Sequence, residues 1–439
     1  MAAVPDAALE KTATPAATAT RLLNRNFVLL WQGQLVSQIG AQAFSIAMIF
    51  WIKQATGSAS LMGLLLMLSS LPGVILGPVA GTFADRHSRR AIIIVCDVLS
   101  GLAVLSLVAV MWWLPGLQEL SLAWLFATSV AVSVLAAFFR PAISAAIPDL
   151  VPLEKVSAAN AMNQASVQVA TLVGQGLGGV LFRLLGAPVL FLADGIAYLF
   201  SAFSELFIRI PQKIPERGGH WKELFSAFKR DTLEGFRYVW QRPGMRNFFL
   251  AVAVLNFFSM PFIVLLPFYV EDVLRVQSDW YGYLLAAFGG GALAGYALAG
   301  VLKLPARARS WAIFVMLIGF GVVFVLLSQV RMAPLALALM AGVGVMSGFI
   351  NISIMTLMQI STPSEIRGRV FGFLSTLSAG LIPLGMGISG VVADWLGQDI
   401  PLIYGVSGLL AAGLSAWIAI PREFRAFLAY EPTQPPIGS

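Results

Sequence analysis

The fold of this chain is decided by the stretch Gly81–Arg90, which reads GTFADRHSRR and lies between two long apolar runs. Gly73, Gly77 and Gly81 follow one another at intervals of four residues. On a helix this spacing puts all three on one face, where the backbone of another helix can approach closely. After the charges, the apolar run from Ala91 to Trp113 contains one charged residue, Asp97. This pattern predicts a helix that leaves a membrane, a tight basic turn, and a helix that re-enters at once.

The composition places the whole chain in a membrane. Of its 439 residues, 58% are hydrophobic and only 11% are charged, whereas soluble proteins carry roughly 25% charged residues. The single cysteine, Cys96, excludes a disulfide framework and a cysteine-based metal site. The two histidines, His87 and His220, fall in charged loops. We therefore expect a polytopic membrane protein with no metal site, no cofactor and no catalytic residues.

Twelve segments are long and apolar enough to span a bilayer, for which ~20 residues are needed. The Ala/Thr/Pro-rich stretch before them, residues 1–24, is interpreted as a disordered cytoplasmic tail. The predicted fold class is an all-α membrane protein with twelve transmembrane helices. The predicted spans are Phe27–Lys53, Leu61–Phe83, Ala91–Trp113, Leu120–Phe139, Ala161–Leu184, Pro188–Ile208, Asn247–Val270, Tyr281–Leu302, Ser310–Val330, Pro334–Gln359, Val370–Val392 and Pro401–Ile420.

The basic residues orient these spans. Lysine and arginine favour cytoplasmic loops, and 24 of the 28 fall inside the cell when both termini are cytoplasmic. Only Lys53, Arg183, Arg275 and Arg331 then lie outside. This imbalance predicts a multi-pass protein of the cell's inner (cytoplasmic) membrane. It also argues against nucleic acid as a partner, because the net charge of +7 is spread over many loops.

The polar segment 209–246 divides the chain into two halves of six spans, 25–208 and 247–421, with a cytoplasmic tail at 422–439. Within this central loop, Trp221–Trp240 mixes apolar and charged residues, as an interfacial amphipathic helix or a solvated linker helix does. Residues 299–309 repeat the small residues and the terminal arginine of residues 80–90. Such a repeat predicts two parallel halves related by an axis along the membrane normal.

The motif Gly81-x-x-x-Asp85-Arg86-x-x-Arg89-Arg90 resembles the signature loop of the major facilitator superfamily, between its second and third helices. An ordinary positive loop explains the arginines but not the aspartate. Several shorter stretches are similar to the twelve-helix drug:proton antiporter branch, which includes macrolide efflux pumps and the enterobactin exporter. They are residues 31–40, 56–59, 140–142, 148–152, 160–161, 191–194 and 367–372.

Two departures from that branch stand out. Efflux members commonly carry an arginine inside the fourth span, linked to proton coupling, and the predicted span Leu120–Phe139 has no basic residue. The fifth span of many exporters has Gly-Pro before a small-residue pair, and here Gln175 stands where that proline would be. Both departures argue against proton antiport and against the usual bend of the fifth helix.

The resemblance implies a rocker switch, in which one half tilts against the other and a midplane site opens alternately to each side. Spans two and eleven, and spans five and eight, would be the neighbours across the seam. The small-residue faces Gly174 with Gly178, and Gly291 with Gly295 and Ala299, are expected to lie at the second pair. The gating motif consists of Gly77, Gly81, Asp85, Arg86, Arg89 and Arg90, and Asp85 either stabilises one of the two states or only anchors the loop.

A substrate cavity is expected between spans one, four, seven and ten, as the resemblance implies. Polar amides disfavour lipid, so rows of them indicate either a cavity wall or hydrogen bonds between helices. Aromatic and Met residues in the second half would adapt to bulky, largely apolar molecules. The candidate cavity residues are Gln34, Gln38, Gln42, Gln164, Gln168, Asn256, Phe257 and Asn351.

Uphill export needs an energy source. The sequence has no Gly-x-x-x-x-Gly-Lys-Ser/Thr phosphate loop, so protons are a better candidate than ATP. A coupling group must be titratable at membrane depth, and the candidates are Asp97, Asp194 and Glu205. Asp97 adjoins the gating loop, which makes it the first choice. Each has a structural alternative: pairing with the motif arginines for Asp97, a hydrogen bond for Asp194, and pairing with Arg209 for Glu205.

Three functions remain open from the sequence. The first is a monomeric secondary exporter of amphipathic small molecules, such as drugs, macrolide-like compounds or siderophores, with protons and membrane lipids as its other partners. The second is a lysophospholipid flippase of the same fold, and the third is a non-transporting membrane receptor. A membrane enzyme is disfavoured because there is no histidine at membrane depth and Cys96 has no partner cysteine.

Overall fold

The computed structural model describes residues 21–212, 221–302 and 304–430. Within these residues the chain forms helices without any strand, which agrees with the predicted all-α fold class. Eleven helices are long and apolar enough to cross a membrane among the residues described. The helices are α1 Arg25–Thr56, α2 Ala59–Arg86, α3 Arg89–Trp113, α4 Gln118–Leu150, α5 Val156–Glu205, α6 Trp221–Trp240, α7 Pro243–Phe268, α8 Asp279–Val301, α9 Ala306–Gln329, α10 Ala333–Ser361, α11 Ser364–Trp395, α12 Ile400–Ala419 and α13 Arg422–Leu428.

Eleven helices account for twelve spans because α5 contains two of them. The helical conformation of α5 is interrupted at Gly186, whose φ of 74° is in the left-handed region that glycine adopts without strain. Pro188 follows two residues later. The predicted fifth and sixth spans are therefore two helical arms of α5, joined by a kink at Gly186.

The starts of the first three helices follow from local sequence. Asn24, Ser58 and Ser88 each stand at the N-cap, and each side chain accepts a hydrogen bond from a backbone N–H of the first turn. Such caps satisfy donors that have no partner within the helix. The loops at residues 57–58 and 87–88 are consequently very short, which keeps consecutive spans antiparallel.

The fourth span is longer than the sequence predicts. Helix α4 does not end at Phe139 but continues to Leu150, through Pro141 and Pro148. Prolines are tolerated in membrane helices because neighbouring groups can satisfy the freed carbonyls. Arg140 therefore lies inside the fourth helix, and the prediction that this helix lacks a basic residue is wrong.

The central loop and the C-terminal tail both contain a helix. Helix α6 occupies the central loop and packs on α11, where Arg369 forms an ion pair with Glu234 (2.5 Å). Helix α13 lies in the predicted tail and buries Phe427 against Phe248 of α7, with ring centroids 5.5 Å apart. The predicted tail 1–24 and the end of the chain after Tyr430 lie largely outside the described residues.

The two halves meet along α2 with α11 and α5 with α8, the pairs that the sequence predicts. The small residues at these seams are partly different ones. Gly174 and Gly178 pack on Gln42 and Ile46 of α1. Gly291 and Gly295 pack on backbone of α10, so both expected faces lie inside their own halves. The close approaches between halves use Gly63 with Gly390, and Gly282 with Gly176.

Candidate functional site

Ion pairs join the two halves at the outer end, the end that the distribution of Lys and Arg places outside. Lys53 at the end of α1 contacts Glu271 (2.6 Å) and Asp272 (3.0 Å) after α7. Arg183 on α5 contacts Asp279 at the start of α8 (2.9 Å). Lys53 is only 9% exposed, so this pair is shielded from solvent and stronger than a surface pair. These contacts hold the outer end closed.

Asp394 of α11 adds a third link, because it caps a helix of the other half. Its carboxylate accepts the Ser58 hydroxyl (2.6 Å) and the backbone N–H groups of Ala59 (3.0 Å) and Ser60 (2.9 Å). These are the first N–H groups of α2, where the helix dipole favours a negative charge. Asp394 was not singled out from the sequence, since its role depends on a helix more than 300 residues away.

The inner end of the same α2–α11 seam is open. A Cβ placed on Gly73, Gly77 or Gly81 would meet no atom within 4 Å, whereas one on Gly63 would lie 2.6 Å from the Met386 carbonyl oxygen. The smooth face predicted from the glycine spacing is therefore unoccupied in this conformation. In the predicted orientation, the two halves are therefore in contact at the outer end, whereas this glycine face at the inner end is free of contact.

The gating motif is organised by Arg89. Its guanidinium donates to Asp149 of α4 (2.5 Å), whereas Asp85 is farther away (3.5 Å) and its side chain is 66% exposed. Arg90 donates to the carbonyl of Leu206 (2.5 Å). Arg86 ends α2. The roles of these residues in gating stay predictions, and the geometry adds Asp149, which sequence spacing alone does not connect to the motif.

Gly77→Leu is expected to reduce transport at least ~10-fold while leaving the inward-facing state intact. The new side chain fits the open seam, but it separates α2 from α11 when their inner ends close. The measurement is labelling of a single cysteine introduced on the outer side, in a Cys96→Ser background. Gly413→Leu is the control, because Gly413 also has no neighbour within 4 Å but lies on α12. Outer labelling as fast as in the parent protein would contradict this role.

A cavity of about 410 Å³ lies within the first half. It is lined by α1, α3, α4 and both arms of α5. The polar part of its wall consists of Gln34, Ser37, Gln38, Gln42, Asp97, Ser100, Arg140, Ser144, Asn163, Gln164 and Tyr198, and the apolar part includes Val132, Leu135, Phe139 and Val167.

One of the predicted coupling carboxyls, Glu205, is hydrogen-bonded to the cavity wall, and a second, Asp97, lines the cavity itself. Gln34 Nε2 donates to Glu205 Oε1 (3.0 Å), and the Ser201 hydroxyl lies 3.4 Å from the same oxygen. Asp97 is 2% exposed and Glu205 is 1% exposed. Neither forms an ion pair among the described residues, so the pairings with Arg89, Arg90 or Arg209 that the sequence left open are not observed.

Asp194 is the third candidate, on the same arm of α5, and it is buried beside α1. A Cβ on Gly40 would lie 2.8 Å from its Oδ1, so the backbone of α1 reaches the carboxyl directly. One oxygen of each carboxyl, Asp97 Oδ2, Asp194 Oδ1 and Glu205 Oε2, has no hydrogen-bond partner among the described residues. For all three carboxyls a role in proton coupling stays a prediction.

The predicted cavity residues divide into two groups. Gln34, Gln38, Gln42 and Gln164 line the cavity, and Gln38 Oε1 is buried there without a partner. Gln168 is exposed and outside it. Asn256 bonds to Val252 in its own helix (2.9 Å), Phe257 packs against Phe258, and Asn351 is exposed, so none of the three lines this cavity. For all of them substrate contact stays a prediction.

Arg140 is the residue of this cavity that the sequence analysis missed. It lies in α4, while Asp97 reaches the same cavity from α3, so the cavity holds one guanidinium and one carboxyl. The signal was present in the sequence, since Arg140 follows the apolar run directly. It was excluded because the predicted span ended at Phe139 and Arg140 was counted with the basic residues of the following loop.

Comparison with known proteins identifies the family to which this architecture belongs. A family model described as Major Facilitator Superfamily matches residues 30–386. The chain belongs to the major facilitator superfamily. Among curated members of the superfamily, Macrolide efflux protein A of Streptococcus pyogenes is 25% identical over 376 residues, covering 85% of this chain and 90% of the relative. Multidrug efflux pump Tap of Mycolicibacterium fortuitum is 28% identical over 395 residues, covering 88% and 93%.

Solved structures of the superfamily have the same fold. A bacterial homologue of the human lysosomal transporter Spinster, in an inward-facing and unoccupied conformation, matches with a TM-score of 0.65 and 16% identity, covering 94% of this chain and 97% of that one. A bacterial homologue of the iron transporter ferroportin, in an inward-facing state, matches with a TM-score of 0.67 and 17% identity, covering 91% and 100%. The chain is thus a multi-pass membrane transporter by family and fold.

Proposed function

We propose that this transporter exports amphipathic or hydrophobic small molecules by alternating access, in exchange for protons. It acts in the cytoplasmic membrane as a monomer, with both termini inside. The names of the macrolide and multidrug efflux relatives support the direction of transport and the class of substrate. The closed outer end and the open glycine face support alternation between two states.

The observation that carries the proposal is the contact between the cavity wall and the carboxyl network. Gln34 lines the cavity and donates to Glu205, and Asp97 lines the cavity directly. A substrate that enters the cavity therefore touches residues bonded to the proposed proton site. Binding of one ligand can then change the free energy of binding the other, as antiport requires.

The amide-rich wall gives the cavity adaptable polarity. Glutamine side chains can donate or accept hydrogen bonds, and Arg140 and Asp97 add one charge of each sign. The apolar residues of α4 provide a surface for rings and alkyl groups. Amphipathic molecules of different shapes can satisfy such a wall, whereas a strongly charged solute would leave much of it unused.

Gln38→Leu is expected to alter the relative export rates of different compounds. Its effect on the expression level should be smaller. Its buried amide oxygen has no protein partner among the described residues, so a substrate donor can bind there. Losing such a hydrogen bond costs about 1 kcal/mol, or roughly 5-fold in affinity, for compounds that use it. Relative efflux rates over a drug panel measure this. Gln168→Leu is the control, because Gln168 lies outside the cavity. An equal loss for every compound would assign Gln38 to helix packing.

The function itself is tested by uptake into inside-out vesicles. Hydrophobic drugs and lysophospholipids are offered as substrates, with the proton gradient intact or collapsed. We expect accumulation of drugs that depends on the gradient. Accumulation of lysophospholipids alone would identify a flippase, binding without flux would identify a receptor, and uphill transport without a proton gradient would refute antiport.

A further inference from the structure

A cleft of about 660 Å³ opens at the inner end of the first half, away from the transport cavity. It lies where α1 and α3 begin and α5 ends. Its lining includes three exposed arginines, Arg25, Arg90 and Arg209, together with Asn26 and the segment 206–208. No carboxylate lines it within residues 21–212, 221–302 and 304–430. Three guanidinium groups around one cleft make a concentrated positive field.

The arginines of this cleft have no carboxylate partner among the described residues. None of the three forms an ion pair within the part of the chain that the structure describes. Arg90 donates to the Leu206 carbonyl (2.5 Å), which fixes its side chain at the wall and leaves its other N–H groups for a ligand. The cleft is thus a group of donors without acceptors.

The rim of the cleft faces lipid. Phe203, Leu206 and Phe207 are 60%, 49% and 51% exposed although they belong to a membrane-spanning segment or its end. Exposed apolar side chains at this position lie against acyl chains, with the arginines at the depth of the headgroups. A ligand that has an anionic head and an apolar body satisfies both surfaces at once.

The second half repeats the arrangement. A cleft of about 600 Å³ lies between the start of α9 and the end of α12, with Arg307, Arg422 and Arg425 in its lining. Arg425 donates to the Ile420 carbonyl (3.1 Å), as Arg90 does to Leu206. Trp311, 55% exposed, stands at its rim. Helices α9 and α12 occupy the places in their half that α3 and the second arm of α5 occupy in the first.

We infer that each half of the transporter binds the phosphodiester headgroup of an anionic phospholipid in its arginine cleft, on the cytoplasmic side. Arginine forks match phosphate oxygens in a bidentate geometry. Scattered loop charges would satisfy the positive-inside rule equally well, but they would not explain a cleft with three arginines in each half. The inference depends on the predicted orientation and not on what the cavity exports.

The test is a lipid titration of the purified full-length protein in detergent, followed by native mass spectrometry. Phosphatidylglycerol is compared with phosphatidylcholine of the same acyl chains and with inorganic phosphate. We expect two phosphatidylglycerol molecules to bind more tightly than any phosphatidylcholine. The variants are Arg25→Gln/Arg209→Gln for the first cleft and Arg307→Gln/Arg422→Gln for the second. The control, Lys155→Gln/Lys229→Gln, removes two exposed charges that line neither cleft.

Each cleft variant is expected to lose one of the two bound lipids, with affinity about 25-fold weaker at that site, since each arginine contributes about a factor of 5 near an anionic headgroup. The control variant should keep both. If a paired variant fails to fold, the single variants are expected to weaken one site about 5-fold each. Equal loss in the control, or equal binding of phosphatidylcholine, would overturn the inference. If inorganic phosphate saturates both clefts and phosphatidylglycerol binds no more tightly, the clefts bind a soluble anion. That result would overturn the inference of a lipid site.

Discussion

Asp97→Asn is expected to abolish proton-coupled accumulation of substrate while substrate binding persists. One proton moving inward releases ~2.3 kcal/mol per 100 mV, enough for roughly a 50-fold gradient of a neutral substrate. Asparagine cannot bind and release that proton, so the ratio of substrate concentrations across the membrane should fall to about 1. Asp97 is chosen because it alone among the three candidate carboxyls lines the cavity. The measurement is substrate-induced proton release in proteoliposomes, alongside the accumulation ratio.

Two further variants are needed to interpret the Asp97→Asn result. Glu154→Gln removes an exposed carboxyl that lies far from the cavity lining, and it should behave as the parent protein. Glu205→Gln keeps the hydrogen-bond partner of Gln34 but cannot ionise, so it tests whether the network acts as a unit. If Asp97→Asn retains full coupling while Glu205→Gln loses it, the proton is carried by Glu205. Full coupling in both variants would exclude the network.

Asp394→Asn is expected to shift the transporter away from the inward-facing state. The carboxylate holds two backbone N–H groups and one hydroxyl of the other half, and hydrogen bonds to a charged group are worth about 1.5–3 kcal/mol each. A net loss of about 2 kcal/mol corresponds to roughly a 30-fold change in the ratio of the two states. We expect faster labelling of a cysteine on the outer side of the cavity and slower labelling on the inner side, in a Cys96→Ser background.

Asp399→Asn is the matched control for this experiment. Asp399 is also an outer aspartate that caps a helix, because its carboxylate accepts the N–H of Leu402 (3.0 Å). That helix, α12, belongs to its own half, so the substitution removes the charge of a helix cap without touching the seam. Labelling of Asp394→Asn that matches Asp399→Asn on both sides would exclude a role of Asp394 in closing the outer end.

The sequence by itself determined the fold and the pairing of the halves. Apolar runs of the length of a bilayer leave helices as the way to satisfy backbone groups in lipid, and the motif at Gly81–Arg90 points to the family that the comparison confirms. Caps such as Asn24 and Ser58 mark helix starts locally. The row Gln34, Gln38 and Gln42 identified one cavity wall, because helical spacing alone places these residues on one face.

Only the tertiary structure decided which residues meet across the chain. The apolar run predicted that the fourth span ends at Phe139, whereas α4 continues to Leu150 and brings Arg140 into the cavity. Glycine spacing predicted smooth faces but not their partners, so Gly291 and Gly295 pack on α10 and Gly77 faces an open seam. The cap that Asp394 provides for α2 depends on how the two halves are docked. Local sequence encodes periodicity and capping. Contacts between helices that are distant in sequence depend on how all the helices pack together.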